Sequence, residues 1–381
     1  MRENDHNDGR VTLVHDYLLV MRGAERTFAA IADHYRQAPI YTLLYDREGT
    51  DGRFDGREVH SSPLQRLSVG QAGFRRLLPL YPWATERLRL PDCELVLSSS
   101  SAFAHGVHVP PGAVHVCYCY TPFRYAWYEQ DRALGEMPAP LRPLLRAELA
   151  RIRRWDLAAS RRVDAYVAIG ELSRERIARY YGRQAEIVHP PVETHRFAPG
   201  QPQEWLLVVT ELVRHKQVDV ALAAAERTGV PVRVVGSGPD AAVLAAAHPQ
   251  AEFLGRTDDE ALAELYASAR AVLVPSVEEF GIVAVEAQAA GRPVIAAGAG
   301  GALETVQDGV TGLLAAPGDV DAFAAAIERL DRLDFEPARA VENAERFSVA
   351  AFQARLADVV ARAAGSARQA VPSGLSTADE L

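Results

Sequence analysis

The stretch from Ala271 to Gly298, AVLVPSVEEFGIVAVEAQAAGRPVIAAG, constrains the fold more than any other part of the chain. A short apolar run, Ala271-Val272-Leu273-Val274, ends at Pro275 and reads as a strand buried on both faces, the signature of a parallel sheet. A loop carrying Glu278 and Glu279 follows, then Phe280-Gly281 and a segment of helical composition from Ile282 to Ala290. Gly291 is a helix stop with Pro293 just beyond it, and Val294-Ile295-Ala296 is a second apolar strand. The unit is β-loop-α-β. In open parallel sheets ligands bind at the carboxyl ends of the strands. A helix start there offers unpaired N–H groups and a partial positive charge, suited to phosphate or a polar sugar. Glu286 falls roughly one turn past Gly281 at about 3.6 residues per turn, so Glu278 and Glu286 can face one ligand. Ionised carboxylates accept paired hydrogen bonds of the kind vicinal hydroxyls offer.

The length of 381 residues allows two α/β domains. No apolar run approaches the roughly 20 residues needed to span a bilayer, and the polar start MRENDHNDGR does not read as a signal peptide, so a cytoplasmic location is expected. Cys93, Cys117 and Cys119 form no disulfide framework; the last two sit in an apolar strand-like run, without the further ligands a zinc site needs. The net charge of −9 is uneven: +3 over residues 1–190 and −12 over residues 191–381. Five Arg against one Glu in residues 60–90, and nine Arg against five acids in residues 124–162, would attract an anionic partner or a membrane surface; no nucleic acid is implied. The mixed Leu/Arg/Tyr/Trp segment 64–90 suits an anionic membrane or a lipid-linked diphosphate, or else an amphipathic scaffold helix with snorkelling arginines, the preferred reading. Of 41 basic residues 40 are Arg, so the one lysine, Lys216, stands where a compact ammonium is suited and a planar fork is not.

Other segments repeat the alternation of strand and helix. Val11 to Asp16 is a strand, followed by a loop to Gly23 and a helix from Ala24 to Tyr35, a Rossmann-like start. Further strands are expected at Pro39–Tyr45, Glu94–Ser98, His115–Tyr120, Val163–Ile169, Trp205–Val209, Val232–Val235 and Glu252–Gly255. Helices are expected at Glu171–Tyr181, Asp259–Ser268 and 341–364. Pro190-Pro191 marks a linker. Asp319-Val320-Asp321 opens an alanine-rich helix, with Asp319 its N-cap. Gly236-Ser237-Gly238 and Gly298-Ala299-Gly300-Gly301 are Gly-rich turns after strands, placed to face a nucleotide or diphosphate.

The pattern Pro-Ser-x-Glu-x-Phe-Gly-x4-Glu-Ala at 275–287 resembles the Glu-x7-Glu motif of retaining glycosyltransferases of the GT-B fold, family 4, in particular the mannosyltransferase-like subgroup of bacterial polysaccharide and O-antigen pathways. HDYLLVMRGAER at 15–26 and the strand leading into Thr121-Pro122-Phe123-Arg124-Tyr125 resemble the same family. The resemblance implies two Rossmann-like doubly wound domains facing across a cleft: an acceptor domain at 1–190, a nucleotide-sugar domain at 191–345, a helix at 346–364 crossing back, and a disordered tail at 365–381. It implies a hexosyltransferase moving a sugar, mannose from GDP-mannose being favoured, from a nucleotide-diphosphate donor to a glycan or lipid-linked acceptor. No metal or other cofactor is implied, and the enzyme would work in the cytoplasm or peripherally at the inner face of the plasma membrane.

By the same resemblance Lys216, Arg214 and the N–H groups after Phe280, in Gly281 and Ile282, hold the diphosphate. Glu278 holds sugar hydroxyls, Glu286 the ribose, and Arg256 lies near the base. Gly23 and Arg22 lie near the donor phosphates, and Asp16 and Arg124 are acceptor-side candidates. Three positions depart from the family pattern: Tyr120 replaces an active-site histidine, Glu211 an arginine, and Arg22 a glycine. They motivate a rival expectation, a non-catalytic relative that binds nucleotide or partners another transferase. A dehydrogenase is disfavoured because the first strand lacks Gly-x-Gly-x-x-Gly.

Overall fold

The computed structural model describes residues 11–67, 70 and 73–370. The chain divides into two compact units, each built around one parallel sheet: Met1–Ile169, Ser173–Val188 and Gln353–Leu381 form the first, Gly170–Leu172 and His189–Phe352 the second.

The first sheet holds β1 (Val11–His15), β2 (Ile40–Thr42), β3 (Val59–Ser61), β4 (Leu95–Ser100), β5 (Val114–Cys119), β6 (Ala165–Ala168) and β7 (Ala185–Ile187), in the order β3-β2-β1-β4-β5-β6-β7. The order reverses between β1 and β4, which pair over five positions from Val11↔Leu95 to His15↔Ser99. The helix after β1, Gly23–His34, buries Phe28 and Ile31. The second sheet holds β8 (Leu206–Val209), β9 (Val232–Val235), β10 (Glu252–Gly255), β11 (Ala271–Val274), β12 (Val294–Ala297) and β13 (Gly312–Ala315), in the order β10-β9-β8-β11-β12-β13. Its reversal lies between β8 and β11.

Apolar residues alternate between the two faces of the second sheet. Leu207, Val272, Val274, Val294 and Ala296 join one core cluster. Leu206, Val208, Leu273, Ile295 and Ala297 join the other. Side chains on a strand point to opposite faces in turn, so an unbroken apolar run is what a sheet covered on both sides demands.

Several elements depart from expectation. Strand β3 follows a Gly- and Asp-rich segment with no apolar run of its own, and β2 is only three residues long. The segment 64–90 is not one helix: it holds the 3₁₀ turns Pro63–Leu67 and Phe74–Leu80 and the short helix Tyr81–Thr85. Pro79 and Pro82 remove the N–H groups that a continuous helix would need. The region 341–364 is two helices, Pro337–Glu345 and Val349–Ala370, and Gly365 lies inside the second rather than opening a tail. Residues 371–381 of the expected tail lie outside the described residues. From Gln353 onward the last helix counts with the first unit, where Gln353 donates to the Ala30 carbonyl at 2.9 Å. Asp319 caps its helix as expected, accepting from the N–H groups of Asp321 and Ala322. Cys117 and Cys119 are buried in the core.

Candidate nucleotide-sugar site

At the carboxyl end of β8 the chain runs through Thr210–Leu212 into a tight turn, Arg214–Lys216, and then into the helix Val218–Thr228. Gln217, between turn and helix, has φ 51°, a left-handed conformation rare for a residue with a Cβ. Such a residue costs on the order of 1–2 kcal/mol, which the surrounding structure must offset. The turn sends the Lys216 side chain to the neighbouring strand's loop. From the carboxyl end of β11, Pro275–Phe280 leads to Gly281, with φ 91°, and the helix Ile282–Ala289.

Across the reversal point the two loops meet. Lys216 Nζ donates to both carboxylate oxygens of Glu278 at 2.8 Å. The hydroxyl of Ser276 also donates to Glu278. Both partners of the ion pair are about one-quarter exposed, at 22% and 26%, so the pair is open to a ligand rather than sealed in the core. The Glu286 carboxylate, one turn into the helix, accepts from the Tyr266 hydroxyl at 2.8 Å. Burial, and next the Glu286 charge, hold that hydroxyl well above the usual phenol range, so it remains a donor.

Two Gly-rich turns brace these loops. Gly301 N–H donates to the Glu278 carbonyl at 2.8 Å, and a Cβ on Gly301 would stand 2.1 Å from the Phe280 carbonyl oxygen. Gly236-Ser237-Gly238 lies on the β8 loop: Leu212 N–H donates to the Ser237 carbonyl at 3.0 Å, and Asp240 N–H to the Leu212 carbonyl at 3.1 Å. Gly301→Ala is therefore expected to destabilise the second unit by about 2–3 kcal/mol, because backbone rather than a flexible side chain blocks the added methyl. A denaturant melt against Ala302→Gly, which removes a methyl from the adjacent residue, checks it: an unchanged Gly301→Ala midpoint would refute this packing.

The other residues singled out in the sequence fall into two groups. In the second unit, Phe280 is buried at 4%, its ring between His189 and Phe347, so it offers a ligand main chain rather than side chain. Ile282 opens the helix. Arg214 and Arg256 are exposed. Glu211 is exposed as well; its carbonyl, accepting from Val213 N–H at 3.0 Å, is what the turn uses. Sequence reasoning passed over Ser276, Tyr266 and Glu304. Glu304 accepts from Glu171 N–H at 2.9 Å and pairs with His189 Nε2 at 2.9 Å. Ser276 belongs to the motif at 275–287, but nothing in spacing or composition distinguishes Tyr266 and Glu304.

In the first unit, Arg22 and Gly23 begin the helix after β1, where Arg22 N–H donates to Glu25 at 3.1 Å. Arg124 lies 3.9 Å from Glu129. Asp16, expected on the acceptor side, is held within its own unit. It is 1% exposed, and its carboxylate accepts from the N–H groups of Ser101, Ala102, Phe103 and Ala104 at 2.5–2.9 Å. A carboxylate buried among that many donors holds the turn after β4.

Tyr120 is also committed internally. Its hydroxyl donates to the Ala24 carbonyl at 2.8 Å and lies 2.9 Å from Ser99 Oγ, which lies 3.1 Å from His15 Nδ1. With the tyrosine proton given to Ala24, Ser99 donates to Tyr120, and His15 donates to Ser99. The serine run thus forms a polar tier: Ser98 bonds His115 at 2.8 Å, Ser99 bonds His15, and Ser100 bonds His105 at 3.3 Å. Burial lowers His15 to about 4 and His115 to about 3. His105 is raised: burial opposes its charge, but the Asp156 carboxylate, 3.2 Å from its Nε2, outweighs it. Among the described residues no group of three or more His, Cys, Asp or Glu is placed to hold a metal ion.

Two parallel Rossmann-like sheets, with a charge pair and Gly-rich turns at the reversal point of the second, define the α/β class that GT-B glycosyltransferase structures share. The comparisons with known proteins are specific about the second half. Residues 192–347 match the family described as glycosyl transferases group 1. D-inositol 3-phosphate glycosyltransferase of Mycobacterium avium (strain 104) is 35% identical over 192 residues, 44% of this chain and 45% of that one. D-inositol 3-phosphate glycosyltransferase 2 of Catenulispora acidiphila is 35% identical over 240 residues, 52% of this chain and 56% of that one. The chain thus spans about half the length of the curated relatives it matches. Among solved structures, Anabaena HepE in complex with UDP-glucose superposes with TM-score 0.66 at 17% identity, over 92% of this chain and 99% of that one. Sucrose-phosphate synthase of Thermosynechococcus elongatus gives 0.69 at 17%, over 93% and 99%. At such identities the likeness is one of fold.

Proposed function

We propose that the chain is a retaining hexosyltransferase that takes its sugar from a nucleoside-diphosphate donor. The observation that carries this reading is the Lys216–Glu278 pair, which joins the loops of the two strands flanking the second sheet's reversal point. A diphosphate lying over Gly281 would meet the N–H groups at the start of Ile282–Ala289 and the Lys216 ammonium. Glu278 would then turn its oxygens to sugar hydroxyls, and Glu286 would accept from the ribose. Arg214, exposed in the same turn, would add positive charge. In the reaction the bond from the sugar C1 to the phosphate oxygen breaks. The acceptor oxygen bonds C1 on the same face, and its proton passes to the departing diphosphate. The protein's share is positioning and stabilisation of the leaving charge.

The family likeness of the sequence motifs favours mannose from GDP-mannose and a glycan or lipid-linked acceptor. The HepE structure contains UDP-glucose, and the curated relatives are named for an inositol phosphate, so other donors and a small acceptor belong in the test. Calorimetry and nucleotide release with GDP-mannose, UDP-glucose and UDP-N-acetylglucosamine decide it. One donor is expected to bind and turn over; failure of all three to bind would sink the reading. The commitment of the Tyr120 hydroxyl to Ala24 and Ser99 favours a second reading, a nucleotide-binding relative that does not transfer. Binding without turnover, with lipid-linked and inositol phosphate acceptors both supplied, would select it.

A further inference from the structure

Among the described residues Val243, Val277 and Leu303 are large apolar side chains exposed in the second unit, and five more are exposed in the first. Leu67, Leu80, Trp83, Leu141 and Leu144 stand 42–71% exposed, and all five belong to two segments of the first unit. One is the turn-and-helix segment from Pro63 to Leu90; the other is the start of the helix Arg142–Ser160. The segments adjoin: Arg151 donates to the Pro79 carbonyl at 2.6 Å, and Phe74, Leu77, Leu78, Leu145 and Leu149 share one core cluster. Their inner residues fill the core while their outer ones are left in water.

The charges around these apolar side chains are mostly positive, although Glu136 lies 3.7 Å from Arg75. Residues 63–90 and 139–154 hold ten arginines and two glutamates. Both glutamates are occupied: Glu148 by Arg151 at 2.6 Å, and Glu86 by the Trp155 indole at 2.9 Å and by Arg162. Arg66, Arg76 and Arg146 are exposed and have no carboxylate partner among the described residues. Arg87 lies over the Trp83 ring, 4.9 Å from its centre. An indole with a cation beside it and leucines around it suits a boundary where one side is apolar and the other carries phosphate. The guanidinium fork matches phosphate oxygens, and neither modest apolar area nor charge is enough alone for stable anchoring.

We propose that this face docks on a lipid bilayer carrying anionic headgroups, with Leu80, Trp83, Leu141 and Leu144 entering the headgroup layer and the arginines holding its phosphates. Charge complementarity selects that occupant: a surface with this excess of arginine repels a second copy of itself. Docking is independent of which donor the other unit takes.

The test is co-sedimentation of the full chain with vesicles of phosphatidylcholine alone and with 30% phosphatidylglycerol. Partitioning is expected to be at least tenfold stronger on the anionic vesicles and to fall about tenfold between 0.1 and 0.5 M salt. Trp83→Ala with Leu144→Ala, and separately Arg76→Glu with Arg146→Glu, should each cut it about tenfold while leaving the far-ultraviolet circular dichroism spectrum and thermal midpoint intact, since all four side chains are exposed. Equal binding to both vesicle types, or variants that bind like the wild type, would overturn the proposal. So would light scattering that shows a dimer broken by the apolar pair.

Discussion

Lys216→Ala is expected to lower sugar transfer by about 10²–10³-fold, on the scale found when one preorganised donor to a developing negative charge is removed. The ammonium is placed by the turn itself against the Glu278 carboxylate. It is the single lysine of the chain, it leaves a turn closed by the left-handed Gln217, and it already lies 2.8 Å from both oxygens of Glu278. Removing it also leaves Glu278 without its cation where the donor's own negative charge must lie. Repulsion between unit charges 4 Å apart near a protein surface is about 4 kcal/mol. Donor affinity should therefore drop together with turnover. Glu278→Gln separates the two effects: it leaves the lysine in place and removes the charge, so diphosphate affinity should hold or rise while transfer falls. A cycle of both variants should show strong non-additivity, as expected of groups in direct contact. If Lys216→Ala transfers sugar at the wild-type rate, the diphosphate is held elsewhere and the pair is only structural.

The first unit is expected to lose about 4 kcal/mol of stability between pH 8 and pH 5 through two histidines alone. His15 and His115 titrate at about 4 and about 3 in the folded protein, both principally because burial strips the charged ring of water. In the unfolded chain they titrate near the ordinary value of about 6.5. Depressed folded values mean that the unfolded chain binds protons the folded chain refuses. The stability is fully present above about pH 6.5 and drains as pH falls from there through about 4 and then 3. At pH 5 the solution lies about 1.5 units below the unfolded value and still above both folded values, so each group costs about 2 kcal/mol. His105 has the opposite sign. Its raised value makes its contribution complete below pH 6.5 and lost only as pH rises through its folded value, so it does not feed the acid loss. Urea titrations of the wild type and His115→Asn at pH 8, 6.5 and 5 isolate the effect as a difference. About half of the acid slope should vanish in the variant; identical slopes would show that the ring is not held neutral.

Much of the second unit was legible in the chain. Val232–Val235, Glu252–Gly255 and Ala271–Val274 are strands with the expected bounds, and Asp259–Ser268 is a helix as expected. Ala271–Val274 is apolar on both faces and is bounded by Arg270 and Pro275, a pattern that a sheet covered on both sides demands. Lys216 and Glu278 were visible as an isolated lysine and a motif carboxylate, 62 residues apart. Their contact was not, because it depends on the order β8-β11 in the sheet, which no local pattern encodes.

The first unit shows the opposite balance. The strand here was expected to end at Ser98, whereas β4 runs on to Ser100. In the fold Ser98, Ser99 and Ser100 are buried in that strand, Ser99 matched to His15 of β1, Ser98 to His115 of β5 and Ser100 to His105 in the turn that follows. A hydroxyl is tolerated in a core only when a partner arrives, and the partner's arrival is a tertiary event. Asp16 is the same case: alone it is a polar residue at a strand end, while in the fold four amides converge on it. The sequence by itself determined that strands and helices alternate along the chain and which residues could carry charge to a ligand, because both follow from local periodicity and residue chemistry. The tertiary structure alone decided which of those groups were spent holding the fold and which were left for a ligand, because that depends on what the sheet order brings within hydrogen-bond reach.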